Sequence, residues 1–508
     1  ISATVMIVMV SMDGWCAAQS EPPKTMKQES IAMSDAVLRA LERNLDITIS
    51  RQTKESRLTD IIFEQAKFDP TVSLNAQYNR LVSPLNRPIL GFGGSQVGIT
   101  PTGEPTTFDQ NVTSVTADLT QNLPTGANYD INYSPQRTFV GGPNAFLFNP
   151  AYTGGLAFTL TQPLLRNAGT EINRTFIRIA QNNANVEEQV FVDRVLTVIA
   201  TVEQTFWELV FANENLKVGQ SALKAAEELL ASNRAKARAG VMAVVEVLQA
   251  EAGVASRVEQ ILVAEKAIQD QEDQLRRLLN PAEEDLRLDV RLMPLDQPVQ
   301  ALEAISLEEA IDIAIERRPE VLQANKNIET SDLNTKFAKN QLLPSLGAQG
   351  TVGLAGLGGD TRDMLDRNFN GNFYNYGGGL VLSYPLGNRS AWSQFNKRQL
   401  EARNAKASLQ NVRQQVIVSV KEAVRRVQTD FRRIETTRSA RILAEKQLQA
   451  EQERFKVGLS TTIFVLGFQR DLAIARGNEL RAIVDYNKSL SNLSRAKATT
   501  LERYRIAM

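Results

Sequence analysis

Residues 192–209 read VDRVLTVIATVEQTFWEL and residues 417–434 read IVSVKEAVRRVQTDFRRI. In the first stretch Val192, Val195, Ile199, Val202, Phe206 and Leu209 step by three and four alternately. In the second, Ile417, Val420, Val424, Val427, Phe431 and Ile434 do the same. A 3.5-residue apolar period makes helices pack along a left-handed seam. Both stretches lie in proline-free runs, one between Pro163 and Pro281 and one after Pro385. Proline removes a backbone donor and clashes with the preceding turn, so runs without it permit unbroken helices. A single helix over 389–455 would be about 100 Å long, and only a bundle or a tube accommodates that length.

The chain before each long run has another composition. From Pro70 to Pro163 there are seven charged residues in 94 positions with ten Gly and ten Pro, against 22% charged overall. Short pieces there alternate with period two. Val72, Leu74, Ala76 and Tyr78 interleave with Ser73, Asn75, Gln77 and Asn79, and Val115, Ala117 and Leu119 interleave with polar residues. Tyr129, Ile131 and Tyr133 behave alike, as do Leu156, Phe158 and Leu160. In a second region Leu346, Ala348, Val352 and Leu354 share one parity, as do Leu380, Leu382 and Tyr384. One apolar face and one face of Ser, Thr, Asn and Gln suits a strand with lipid outside and a wet lumen inside. A soluble sandwich gives the same alternation, and export decides between them.

That export is read from ATVMIVMV at 3–10, an apolar run too short to span a bilayer and long enough for a secretory signal. Residues 1–18 are expected to be an N-terminally clipped signal peptide, with Cys16-Ala17-Ala18 supplying small residues for cleavage before Gln19. Lipidation at Cys16 fits less well, because Trp15 precedes it. No other stretch approaches 18 consecutive apolar residues, so no transmembrane helix is expected.

The chain is an internal repeat. An offset of 274 residues matches MSDAVLRALERNLDI (33–47) to LEEAIDIAIERRPEV (307–321), and Pro70 to Pro344. After the strands the offset falls to 222, where FTLTQPLL (158–165) meets LVLSYPLG (380–387); the difference of 52 residues is extra length in the first strand region. In the helices the offset is 218, matching Ile199 to Ile417 and Gly240 to Gly458. The first repeat, 19–280, reads as helix 31–67, strand region 70–163 and long helices 170–238 and 241–279. An equatorial linker follows at 281–305. The second repeat, 306–508, reads as helix 306–341, strand region 344–385 and long helices 389–455 and 460–505.

One strand pair per repeat gives four strands, a closed barrel needs about eight, and open edges cannot sit in lipid. Several copies must therefore pool their strands. The two additional alternating pieces flanking Asn122-Leu123-Pro124-Thr125-Gly126 are expected to form a hairpin of a long surface loop, an extra barrel pair being the alternative.

Composition excludes much else. With no His and one Cys, catalytic triads, His-ligated metals, zinc clusters and internal disulfides are ruled out. Equal counts of 57 basic and 57 acidic residues argue against nucleic acid. No enzyme site, cofactor or metal is expected. The class is an α+β membrane protein: long antiparallel helices in an α-helical barrel, joined to transmembrane β-barrel strands and closed only as an oligomer. The rival reading is a non-conducting, structural or adhesive coiled coil spanning the periplasm; the polar parity of the strands favours a pore.

The segments SLEEAIDIAIERRPEV (306–321), FTLTQPLLRNAG (158–169), RAGVMAVVEVLQA (238–250) and KVGLSTTIFVLG (456–467), in this order and duplicated, resemble the TolC-type outer-membrane efflux protein family over essentially everything after residue 30. The resemblance implies a homotrimer with a twelve-stranded barrel in outer-membrane lipid, continued by a helical barrel across the periplasm. It implies the exit duct of a tripartite efflux pump or type I secretion system, opened by a periplasmic adaptor and coupled through it to an inner-membrane transporter. In the family a Val-Gly-Leu-Ser/Thr turn contacts the adaptor. Val457, Gly458, Leu459 and Ser460 match it, while the first repeat keeps Gly240, followed by Val241. Both glycines are also expected to end a helix in the left-handed conformation. Where some members narrow the entrance with an Asp ring, this chain has Phe464 and Gly467 in the second repeat and Glu246 and Gln249 in the first. Phe464 either forms a hydrophobic constriction or packs between neighbouring helices, and Glu246 could attract cations. Arg425-Arg426 and Arg432-Arg433 are read as solvated surface or inter-helix pairs.

Overall fold

The computed structural model describes residues 27–84, 89–90, 96–97, 107–141, 146–281, 287 and 290–506. The signal-peptide reading of 1–18, with Cys16, lies outside them. In chain order the principal elements of the first half are β1 Lys27–Ile31, α1 Met33–Arg43, α2 Leu45–Gln65, β2 Thr71–Pro84, β3 Thr107–Asn122, β4 Asn128–Tyr133, β5 Gln136–Gly141, β6 Ala151–Pro163, α3 Thr175–Arg238 and α4 Val244–Leu279. The second half continues with β7 Val290–Pro294, α5 Leu307–Arg317, α6 Pro319–Asn340, β8 Ser345–Gly358, α7 Thr361–Phe369, β9 Tyr374–Ser383, α8 Arg389–Lys456 and α9 Thr462–Ala496.

The single helices expected at 31–67 and 306–341 are each two. Asn44 takes an extended conformation, and its side-chain oxygen accepts from the N–H groups of Asp46 and Ile47, starting a new helix. Arg318 is extended because Pro319 follows it. The inter-repeat linker is partly a strand, since β7 pairs in parallel with β1 to form a two-stranded ribbon at the level of α1.

The long helices follow the heptads. Val195, Ile199, Val202, Phe206 and Leu209 are fully buried, as are Val420, Val424, Val427 and Ile434. At 64 and 68 residues, α3 and α8 run about 100 Å each. Nearest the sheet the helices lie side by side in the order α2, α3, α6, α8; toward the far tip the order is α4, α3, α9, α8. The molecule is four helices wide at both levels, and α3 lies in the interior at both. An 18-residue window of α3 is apolar enough to cross a bilayer, yet 72% of it is buried within the fold. That apolar surface is the seam itself.

The strands form one continuous sheet in the order β9, β8, β6, β4, β3, β2, with β5 extending the β4 position between β3 and β6. This corrects the expectation that the pieces flanking Leu123 belong to a surface loop. β3 pairs with β2 over 14 residues, from Thr71 opposite Thr120 to Pro84 opposite Thr107, and β4 pairs with β6, so the two pieces stand between β2 and β6 rather than pairing with each other alone. In the half nearest the helices the register aligns the alternation from β2 to β9. Val72, Leu119, Ile131, Phe158, Val352 and Tyr376 form one apolar row, and Ser73, Asp118, Asn132, Ala157, Gly353 and Asn375 form the adjacent row on the opposite face. On the polar face Ser73 donates to Asp118 at 3.3 Å, Asn132 donates to the same carboxylate, and the Thr159 and Thr351 hydroxyls meet at 3.3 Å.

Candidate functional site

The far ends of the four long helices make a tip of two turns with one backbone design. At the first turn the Val241 N–H donates to the Lys236 carbonyl and the Gly240 N–H to the Ala237 carbonyl, both at 3.0 Å. At the second, Leu459 donates to Arg454 at 2.9 Å and Gly458 to Phe455 at 3.3 Å. This pair of bonds closes a helix with a left-handed residue, and Gly240 and Gly458 have φ of +75° and +79°. Among the described residues nothing lies within 4 Å of where a Cβ would stand on either glycine, so conformation alone requires them.

Beyond the glycines the tip is apolar and uncovered. Val241 and Val244 of the first turn are 74% and 79% exposed, and Val457 and Leu459 of the second are 70% and 71% exposed. Behind them Phe455, Val465, Leu472, Leu448 and Leu229 form a small core, with Met242 folded against it. Lys236 lies 4.5 Å from the centre of the Phe455 ring. Ser460 is turned inward, its hydroxyl donating to the buried carboxylate of Glu451, which also pairs with Arg454 at 3.1 Å. Of the four residues expected at the docking turn, Val457, Gly458 and Leu459 face outward and Ser460 braces the turn.

The residues expected to narrow the entrance separate into different roles. Glu246, on the first turn of α4, accepts from the backbone N–H of Thr462 at 2.8 Å and so caps the start of α9 in the other repeat. Asn233 of α3, fully buried, ties the same joint, its amide donating to the Thr462 hydroxyl at 2.7 Å and the Glu246 carbonyl at 3.1 Å. Gln249 is half-buried one turn further on, and a Cβ added at Gly467 would meet no described atom within 4 Å. Phe464 is 59% exposed and lies outside the chain's own tip core. The cross-repeat cap has no signature in the sequence. A carboxylate in a helix's first turn ordinarily reads as a complement to its own dipole, and nothing in the one-dimensional pattern points to the neighbouring helix.

Charged residues mark the helix contacts above the tip. Glu208 of α3 receives hydrogen bonds from Arg481 at 2.7 Å and from Lys488 of α9. Burial pushes its carboxyl upward, and the two cations together outweigh that and hold it below the ordinary value. Arg257 of α4 is buried, and desolvation, followed by the nearby Arg470 charge, lowers its guanidinium. Arg433 bridges Asp430 and Asp485, both at 3.2 Å, so part of the Arg-rich face of α8 forms inter-helix pairs. Among the described residues no cluster of acidic or thiol groups could hold a metal ion.

Known proteins share this architecture. The solved outer-membrane channel OprN aligns with a TM-score of 0.67 at 14% identity, over 92% of this chain and 90% of that one. The Campylobacter jejuni CmeC outer membrane channel aligns at 0.64 and 17% identity, over 92% and 85%. The outer membrane protein VceC of Vibrio cholerae aligns at 0.64 and 15%, over 92% and 95%. In sequence, the pyoverdine export outer membrane protein OpmQ of Pseudomonas putida is 25% identical over 299 residues, which span 56% of this chain and 58% of the relative. The family model for outer membrane efflux proteins matches residues 126–281 and 310–499. Those segments take in β4 to β6, β8 and β9, all four long helices and both tip turns, and the chain belongs to the outer membrane efflux protein family.

Proposed function

We propose that three copies of this chain form the outer-membrane exit duct of a tripartite export assembly, a passive channel that a periplasmic adaptor opens at the helical tip on behalf of an inner-membrane transporter. The observation that carries this reading is the sheet, where in the half nearest the helices one apolar and one polar face run in register from β2 to β9 while both edges lack partners among the described residues. Such a sheet is stable in lipid only when closed around water, and one chain is too few strands to close it.

The adaptor would grip the uncovered apolar turn, with Leu459 and Val457 as its main contacts and Val241 as the first-repeat counterpart. The gate would lie at the seam between copies. Within one chain the seam between repeats has a polar joint beside the apolar tip core, with Glu246 and Asn233 fastening Thr462. By the 218-residue offset the positions equivalent to Glu246 and Thr462 are Phe464 and Val244, both exposed. In a closed ring Phe464 of one copy would meet Val244 of the next, an apolar contact that closes by dewetting and separates without leaving a buried charge.

Purified protein in detergent should be a trimer that conducts ions in planar bilayers. A stable monomer, or trimers that never conduct under any gating condition, would refute the duct. Replacing Leu459→Asp should abolish cross-linking to the adaptor while leaving trimers intact, and unchanged cross-linking would remove the docking role.

A further inference from the structure

We infer that each copy contributes six strands to the membrane wall, so that the trimer closes as an eighteen-stranded barrel rather than the twelve-stranded one that the family resemblance implies. The inference rests on the trimeric reading above and concerns only the width of its membrane section.

The additional pair is built as wall. β3 carries 14 bonded positions to β2, and the β4 and β5 segments bridge β3 to β6. Where Ser134-Pro135 interrupts β4 and β5 the ladder continues, the Ser134 N–H donating to Gly155 at 2.8 Å and the Val115 N–H to the Pro135 carbonyl at 2.9 Å. Farther from the helices Arg80 of β2 and Asp109 of β3 form a two-pronged pair at 3.1 and 2.8 Å on the parity of Val72 and Leu119, so the apolar row ends below this level while the backbone ladder continues to Pro84 opposite Thr107. Leu119 and Ile131 fall on the apolar row with Val72 and Phe158, and Asp118 and Asn132 on the polar one. A plug or loop would have no reason to keep that parity.

Closure also works. Neighbouring strands are antiparallel throughout, so an even number per copy leaves β2 and the next copy's β9 antiparallel, with Val72 and Tyr376 on the same face. Removing β3 with β4 and β5 would preserve this alternation, which is how a pair can be inserted into a four-strand unit. The 52-residue excess of the first strand region is enough chain for the pair and its loops. The widths match as well. At roughly 9 to 10 Å per helix the four-helix wedge spans about 38 Å of circumference. At about 4.8 Å spacing and about 40° tilt, six strands also span about 38 Å and four only about 25 Å. The eighteen-stranded wall would be about 36 Å across between backbones, against about 24 Å for twelve strands.

An electron cryomicroscopy map of detergent-purified wild-type trimers should show eighteen strands in the membrane section. As a second measurement, single cysteines placed at Ser73, Asn132, Val72 and Ile131 in a Cys16→Ser background are treated with a water-soluble maleimide in liposomes. Ser73→Cys and Asn132→Cys should react on the order of ten times faster than Val72→Cys and Ile131→Cys, which face lipid. Trimers with twelve strands, or equal fast labelling at 131 and 132 alongside alternation at 72 and 73, would overturn the six-strand wall and leave the duct standing. Absence of trimers would overturn the duct itself.

Discussion

The two halves of the chain differ most in their strands and least at the helical tip. Their long helices carry the same heptads at one offset, and their tip turns are closed by the same pair of backbone bonds with glycines at nearly the same φ. Their strand regions differ by a whole antiparallel pair. A helical wall is constrained along its length, because an insertion rotates every later residue out of the seam. A strand wall accepts two extra strands without disturbing direction or face. The helices differ in surroundings rather than pattern. α3 is enclosed by α2, α4, α6 and α9, whereas α8 packs on α5, α6 and α9 and leaves a charged side open.

That contrast can be broken by paired substitutions. The largest effect should come from Phe206→Ala, which empties a fully buried site where the ring stands edge-on to Trp207 at 5.7 Å; a loss of about 3–5 kcal/mol is expected from denaturant unfolding. Its second-repeat counterpart, Val424→Ala, should cost about 2 kcal/mol. Equal losses would show that α3 is no more central than α8.

Next are Gly240→Ala and Gly458→Ala. Each forces a side chain into the left-handed region and should cost about 1–2 kcal/mol, equally at both sites because neither lacks space. A much larger loss at one would mean that neighbouring copies touch there in the proposed trimer.

Smaller again is Glu246→Ala, which removes the cap on Thr462 and should lower the melting midpoint by an amount equivalent to about 1 kcal/mol. Glu246→Gln keeps an accepting oxygen and should retain most of that stability. Phe464→Ala, at the equivalent position, should leave stability unchanged and raise the closed-state leak in bilayers. If Phe464→Ala destabilises while Glu246→Ala does not, the polar and apolar seams have been assigned the wrong way round.

The smallest effect is electrostatic. Because Glu208 is held below its ordinary value of 4.5, the stability it contributes is present above that value and is lost as the pH falls through its lower folded value. With a quarter of the side chain exposed to solvent, the contribution should stay near 1 kcal/mol or less. Wild type and Glu208→Gln should differ in unfolding midpoint at neutral pH and converge in acid; a difference unchanged in acid would show that the carboxylate's charge is not what joins α3 to α9.

Much of this was legible in one dimension. Val457-Gly458-Leu459-Ser460 announced a helix end with an exposed turn, since a glycine between proline-free heptads has few other uses. The break before α6 was missed, although Pro319 stands at it and restricts Arg318 to extended backbone. The break at Asn44 was harder to see, because Asn is an ordinary helical residue until its side chain is found capping the next helix. The role of Glu246 was invisible, since its partner is 216 residues away and belongs to the other repeat.

The amino-acid sequence alone determined where the long helices run and how the strands alternate, because periodicity is a property of a single segment and each segment carries its own. Whether the strands flanking Leu123 join the sheet, and which carboxylate closes which helix, was decided only by the tertiary structure. Alternation specifies the side on which a strand is apolar and is silent about its neighbour. The neighbour is chosen by the backbone donors and acceptors left unpaired on other edges, and these exist only once the chain has folded back on itself.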